Sequence, residues 1–272
     1  MKKRNKIILI ILLVGIAGFF GFQKLAILEI NNAVFKVVPE KEGILEEIPF
    51  VNLKISSNDR QLNANFLITS KGAPSVFICT GNAEALYEWK EIQVYLKSKG
   101  FSSFVFSYSG FGSSTGSPSI ENLNQDILAA YKQYIQLTPE SSERIALSHS
   151  LGSGPLLEMA NKLIPAPSKL LVHAPFSSIR EEAIASGDLP SSLSFLFPDV
   201  WNNMENASKT SLPLFLVHSR ADNRLPFTNS EKIFKNAGNN AQLLLIDNYG
   251  HNAIYQNVND DFMIPILNFI NN

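Results

Sequence analysis

The chain has a single cysteine, Cys79, among 272 residues. No intrachain disulfide can form, so a buried core must hold the fold. Histidines number only four, and none stands at a metal-ligand spacing. The sequence has no Walker-type glycine loop for phosphate and no internal repeat. Charge of one sign is lacking as well: 23 Lys and Arg stand against 24 Asp and Glu, a net charge of −1. No basic stripe exists outside the N-terminus, which argues against a nucleic-acid partner.

Apolar residues make up 45% of the chain, enough for a large core. Strand-like and helix-like stretches alternate, which predicts an α/β domain: a mostly parallel sheet with helices on both faces. Val51–Ile55 and Asn65–Ile68 read as antiparallel entry strands. Val76–Cys79, Ser103–Ser107, Ile145–Leu147, Leu170–His173, Leu214–His218 and Leu243–Ile246 read as buried strands. Helices are expected over Ala83–Ser98, Ile120–Gln136, Leu151–Leu163, Phe227–Asn236 and Phe262–Ile270. A chain of this length suits one such domain, placed here at residues 29–272.

Residues 1–28 form a separate unit. Lys2, Lys3, Arg4 and Lys6 precede an uncharged run from Ile7 to Phe22. A spanning helix needs roughly 20 apolar residues and a signal-peptide core about 7–15. The run lies between, and Leu25–Leu28 can lengthen it if Lys24 snorkels. The small residues Gly15 and Ala17 are followed by Phe19, Phe20 and Phe22, a poor cleavage context. The expectation is an uncleaved transmembrane anchor, with a cleaved signal as the alternative. The basic cluster would stay in the cytoplasm and the domain would lie outside it.

The most telling motif is Ser148-His149-Ser150-Leu151-Gly152. It joins a short apolar strand to a helical stretch, as a nucleophile elbow does. A serine at such a turn presents its hydroxyl beside a helix N-terminus. It needs a histidine base, which a carboxylate must hold in the right tautomer. Asp222 lies just past the strand Leu214–His218. His251 follows a Gly just past the strand Leu243–Ile246. Both positions are strand C-terminal ends, where open α/β sheets build their sites.

The other histidines read differently. His149 sits in the elbow and is expected to point away from Ser150. His173 and His218 end apolar strands and read as core residues. Asp247 continues a strand run and reads as structural. The candidate triad is Ser150, Asp222 and His251. Oxyanion donors are expected from the Leu151 N–H, directly after the nucleophile, and from the Asn82 N–H in the loop after Val76–Cys79.

Several stretches, in order, resemble the α/β-hydrolase superfamily, in particular its membrane-anchored branch of serine esterases, lipases and protein depalmitoylases. Thr80-Gly81-Asn82-Ala83-Glu84 is similar to that branch's His-Gly-Asn-Ala-Glu. Ser107 through Gly116 is similar to its Asp-Tyr-Arg-Gly-x-Gly-x-Ser-x-Gly. Pro175–Arg180, His218–Pro226 and Gly250–Asn252 match further segments. The resemblance covers nearly everything after about residue 45 and implies an eight-stranded sheet, a short cap and no cofactor. Thr80, Ser107, Ser109 and Ser148 depart from the pattern. The first three remove groups that usually brace the loops around the oxyanion hole.

The cap position, between His173 and Leu214, is short. Its Leu193, Leu196, Phe197, Val200 and Trp201 fit either a helix packed on the core or a wall for an acyl chain. The expected activity is hydrolysis of a carboxylic ester or thioester, with a small-molecule or lipid-borne acyl substrate. A peptidase of the aminopeptidase type is one alternative, and a non-catalytic binding protein on this fold is the other.

Overall fold

The computed structural model describes residues 3–39 and 48–271. Eight strands form one sheet: β1 Val51–Ser57, β2 Arg60–Leu67, β3 Ser75–Cys79, β4 Ser102–Phe106, β5 Arg144–His149, β6 Lys169–His173, β7 Leu214–Ser219 and β8 Ala241–Ile246. Their spatial order is β1-β2-β4-β3-β5-β6-β7-β8. β2 runs antiparallel to β1 and β4, and every later pair is parallel.

The central strands read as unbroken apolar runs because helices cover both faces. Phe77 and Cys79 of β3 face one core with Phe104, Phe106, Ala146 and Val172. Val76 and Ile78 face the other with Val105, Ile145 and Leu171. Helix α3 (Ile120–Leu137) and the short helix α4 (Ser153–Met159) lie on the first face. Helix α2 (Lys90–Ser98) lies on the second, with two later helices at Ala253–Gln256 and Met263–Asn271.

Two expected helices are interrupted. The helix expected over Ala83–Ser98 begins only as a 3-10 turn at Leu86–Trp89. Ala83 has φ +58°, a left-handed backbone that no helix can pass through. The helix expected over Leu151–Leu163 is a 3-10 turn, then Ser153–Met159, then a second 3-10 turn at Ala160–Lys162.

The N-terminal helix, α1, spans Lys3–Val34 without a break and so crosses the expected boundary at residue 28. Lys2 lies outside the described residues, as do the side chains before Gly15 and that of Ile16. Among the described residues no helix is long and apolar enough to cross a membrane. What the structure does show is docking of the C-terminal half of α1. Gln23, Ala26, Ile27, Ile30, Asn31 and Val34 recur at helical spacing and are the less exposed residues of that stretch. Ile30, Val34 and Phe35 pack against the first core. Leu25 and Leu28 on the other side stay exposed, as do Phe19 and Phe20 ahead of the docked stretch.

Candidate active site

Ser150 follows the last residue of β5 and has φ +50°. A non-glycine residue in this region is strained, and such strain clusters at working sites. The turn needs small neighbours. A Cβ on Gly152 would lie 2.5 Å from the Cys79 carbonyl oxygen and 2.6 Å from that of Thr80. Gly152 thus lets the elbow press against the loop after β3. Leu151 is the middle residue of the 3-10 turn Ser150–Gly152.

The three residues expected from the sequence meet. His251 Nε2 lies 2.9 Å from Ser150 Oγ, and His251 Nδ1 lies 2.6 Å from Asp222 Oδ2. Because the carboxylate only accepts, Nδ1 carries the proton and Nε2 accepts from the serine hydroxyl. Asp222 Oδ1 accepts from the Arg224 and Leu225 N–H groups at 2.8 and 3.0 Å. Asp247, the nearer acid in sequence, is exposed and pairs with Arg220 at 3.2 Å.

The charges follow from these contacts. Burial alone would raise the Asp222 carboxyl, but hydrogen bonds from His218 and His251 hold it well below the usual carboxylate range. Burial pulls His251 below an ordinary imidazole, against the opposing pull of Asp222. A neutral imidazole beside a charged carboxylate is what a general base requires.

The Asn82 N–H has no hydrogen-bond partner among the described residues. The Gly81 N–H is not available, because Glu84 Oε2 accepts it at 2.5 Å.

The family description "alpha/beta hydrolase fold" matches residues 74–204. An uncharacterized protein of Mycobacterium tuberculosis is 30% identical over 187 residues, covering 68% of this chain and 65% of that one. The lysophosphatidylserine lipase ABHD12 of Xenopus tropicalis is 26% identical over 223 residues, covering 74% and 56%. The chain thus spans about half to two-thirds of these relatives' length. Among solved structures, an esterase of Pyrococcus furiosus superposes with TM-score 0.71 at 16% identity, over 88% of this chain and 98% of that one. The chain carries the α/β-hydrolase fold. The family match and the structural neighbours support its place in that superfamily.

The site also has parts that the sequence reading missed. His218, read as a core residue, holds Asp222. Its Nε2 lies 3.0 Å from the Leu225 carbonyl and 3.3 Å from Asp222 Oδ2. Both partners accept, so Nε2 donates and Nδ1 accepts from Ser230 Oγ at 2.8 Å. Its position four residues before the acid was the available signal.

His149 corrects an expectation. It does not point away from the site: its ring centroid is 4.8 Å from that of His251. Its Nδ1 lies 3.0 Å from His173 Nδ1, and its Nε2 is 3.2 Å from Glu84 Oε1 but out of hydrogen-bond alignment. Burial, with the neighbouring His149, keeps His173 far below an ordinary imidazole and neutral. The buried Glu84 carboxylate gathers the Gly81 N–H, Trp89 Nε1 and Tyr255 Oη. It thereby ties the loop after β3 to the second face of the sheet.

The departures from the family pattern are accommodated in two ways. Thr80, Ser107 and Ser148 place buried hydroxyls with no hydrogen-bond partner among the described residues. Ser109 is instead well held. Arg60 Nε donates to its hydroxyl at 2.8 Å, and Asp126 Oδ2 accepts its N–H, also at 2.8 Å. The loop that lacks its own arginine is thus braced by Arg60 of β2.

The cap residues do not form the single helix expected of them. Leu193 and Leu196 belong to a 3-10 segment, Ser191–Leu196, while Phe197, Val200 and Trp201 follow it outside any helix. Leu193 stays exposed and Trp201 is buried. Trp201 packs on Gly154, where a Cβ would lie 2.5 Å from the indole, and donates Nε1 to Asn124 at 2.9 Å. So Trp201 serves the core behind the elbow. Phe195, 71% exposed, faces outward.

Proposed function

We propose that the protein is a serine hydrolase of carboxylic ester or thioester bonds. The observation that carries the reading is the hydrogen-bonded line Ser150–His251–Asp222 at a strained elbow. Ser150 Oγ attacks the acyl carbon while His251 Nε2 takes its proton. The oxyanion that forms accepts from the Leu151 and Asn82 N–H groups. His251 returns the proton to the leaving alcohol or thiol, which leaves an acyl-serine. Water, deprotonated by the same imidazole, then releases the acid. Asp222 keeps the imidazole in its productive tautomer throughout. No cofactor enters any step.

We place the domain next to a bilayer, tethered by residues 1–28, with an acyl substrate carried in the lipid. The support is the Lys2–Lys6 cluster followed by the apolar run Ile7–Phe22. The relative from Xenopus tropicalis is a lysophosphatidylserine lipase, which suits a lipid substrate. No observation favours a peptidase. Of the five acids in the cap, Glu181, Asp199 and Glu205 are paired with Lys232, Arg180 and Lys209.

Turnover of p-nitrophenyl esters and of acyl thioesters by the wild type and by Ser150→Ala tests the chemistry. A loss on the order of 10⁴–10⁶ in kcat is expected. Wild-type turnover by Ser150→Ala would contradict the reading. Carbonate extraction and N-terminal sequencing test the tether: an intact N-terminus in the membrane pellet is expected, and a start near Gly18 would make the run a cleaved signal.

A further inference from the structure

The Asn82 side chain does something that its N–H does not. Its Nδ2 donates to the Val34 carbonyl at 2.6 Å, and its Oδ1 accepts the Lys36 N–H at 2.9 Å. Val34 is the last residue of α1, so its carbonyl has no partner within the helix. One amide thus grips both sides of the point where α1 ends. The grip is reinforced on either side. Asn31 Oδ1 accepts the Ile120 N–H at the start of α3, and Phe35 packs edge-on against Trp201, the indole that lies on Gly154 behind the elbow.

The loop that bears Asn82 needs such a hold. Ala83 is held at φ +58°, a conformation that a non-glycine residue keeps only when its surroundings force it. Glu84 pulls on the loop from below through Gly81 N–H. From above, Asn82 holds it to the end of α1. The direction in which the Asn82 N–H points is therefore set between a buried carboxylate and the N-terminal helix.

We propose that the Asn82 side chain is a positioning residue, and that Val34–Lys36 form part of the support of the oxyanion hole. The helix at the N-terminus is then more than a tether. Its end is a working piece of the site, and a shift of α1 against the domain moves an oxyanion donor. The proposal rests on the hydrolase reading above.

The test uses full-length protein, p-nitrophenyl butyrate turnover and active-site titration with a fluorophosphonate. A donor misplaced by about 1 Å costs on the order of 10² in rate. Asn82→Ala should therefore lower kcat per titrated site by about tenfold to a hundredfold, with KM within about threefold. The acid limb of kcat/KM should not move, because His251 is untouched. Lys36→Pro removes the N–H that Oδ1 accepts, at an exposed, non-helical position. It should lower kcat by a smaller factor, and by nothing further when combined with Asn82→Ala. Unchanged kcat per site in either single variant, or losses that multiply in the double variant, would overturn the proposal. Ser150→Ala, run alongside, separates the two ideas. If it stays active, the hydrolase reading fails; if it is dead while Asn82→Ala is normal, only the clamp fails. Should Asn82→Ala not fold, Lys36→Pro alone decides.

Discussion

On the base side of Ser150, Asp222 is surrounded by donors that come from the end of β7 and from the loops after β7 and β8. These are the Arg224 and Leu225 N–H groups, His218 and His251. On the oxyanion side, residues 80–84 are held by groups from the far face of the sheet and from α1. The base side is self-contained, and its left-handed residue, Asn248 (φ +65°), is of a type that tolerates this backbone. The oxyanion side carries a left-handed alanine and depends on remote support. The difference shows how one site can combine a rigid acid–base pair with a loop open to adjustment from outside the sheet.

Breaking the base side should have the larger effect. Asp222→Asn removes the acceptor that selects the His251 tautomer, and kcat should fall on the order of 10⁴. Asp247→Asn, at an exposed ion pair, should leave turnover at its wild-type value. Steady-state kinetics on the two variants checks this, and a comparable loss at both would move the acid to the loop after β8.

The oxyanion side should yield less in rate and more in stability. In Glu84→Gln the amide replaces an oxygen that accepts buried donors. One donor is left unsatisfied, at about 1–3 kcal/mol. Urea unfolding should show that loss, and kcat should fall by less than in Asp222→Asn.

Acidity separates the two flanks further. The base form of His251 is the neutral one, so kcat/KM should rise with pH, with its midpoint below the ordinary value of about 6.5, because burial disfavours the imidazolium. In Asp222→Asn that midpoint should fall further, since the carboxylate that favours the charged ring is gone. In Asn82→Ala it should stay in place.

The smallest effect concerns the neutral His173 beneath the site. Its folded-state pKa is depressed, so the unfolded chain binds a proton that the folded one refuses. Stability is then fully present above about pH 6.5 and falls as pH drops below it. Asp222, whose pKa is also depressed, removes more as pH falls below about 4. Tm measured from pH 7.5 to 5.5 should decline, and His173→Gln should flatten the decline.

The same contrast explains what could be read from the residues alone. Ser150, Asp222 and His251 were legible because each sits at a strand end with a local signature. The strands themselves followed from apolar runs of the right length. His218 was hidden because a histidine closing a buried strand looks like core. His149 was hidden because side-chain direction inside the elbow follows from contacts distant in sequence, with His173 on the next strand and with Glu84, 65 positions away. The clamp on Asn82 joins segments 46 and 48 positions apart and leaves no periodic or compositional trace. The break in the expected helix at Ala83 comes from the same loop. There, tertiary contacts override a sequence with good helical propensity.

The central claim is that Ser150 is an activated nucleophile. The most direct test is a fluorophosphonate reaction on the full-length protein, followed by peptide mass spectrometry to locate the adduct. One phosphonyl group per chain on Ser150, and none on Ser150→Ala, is the result expected. An adduct on another residue, or equal labelling of wild type and Ser150→Ala, would contradict the account.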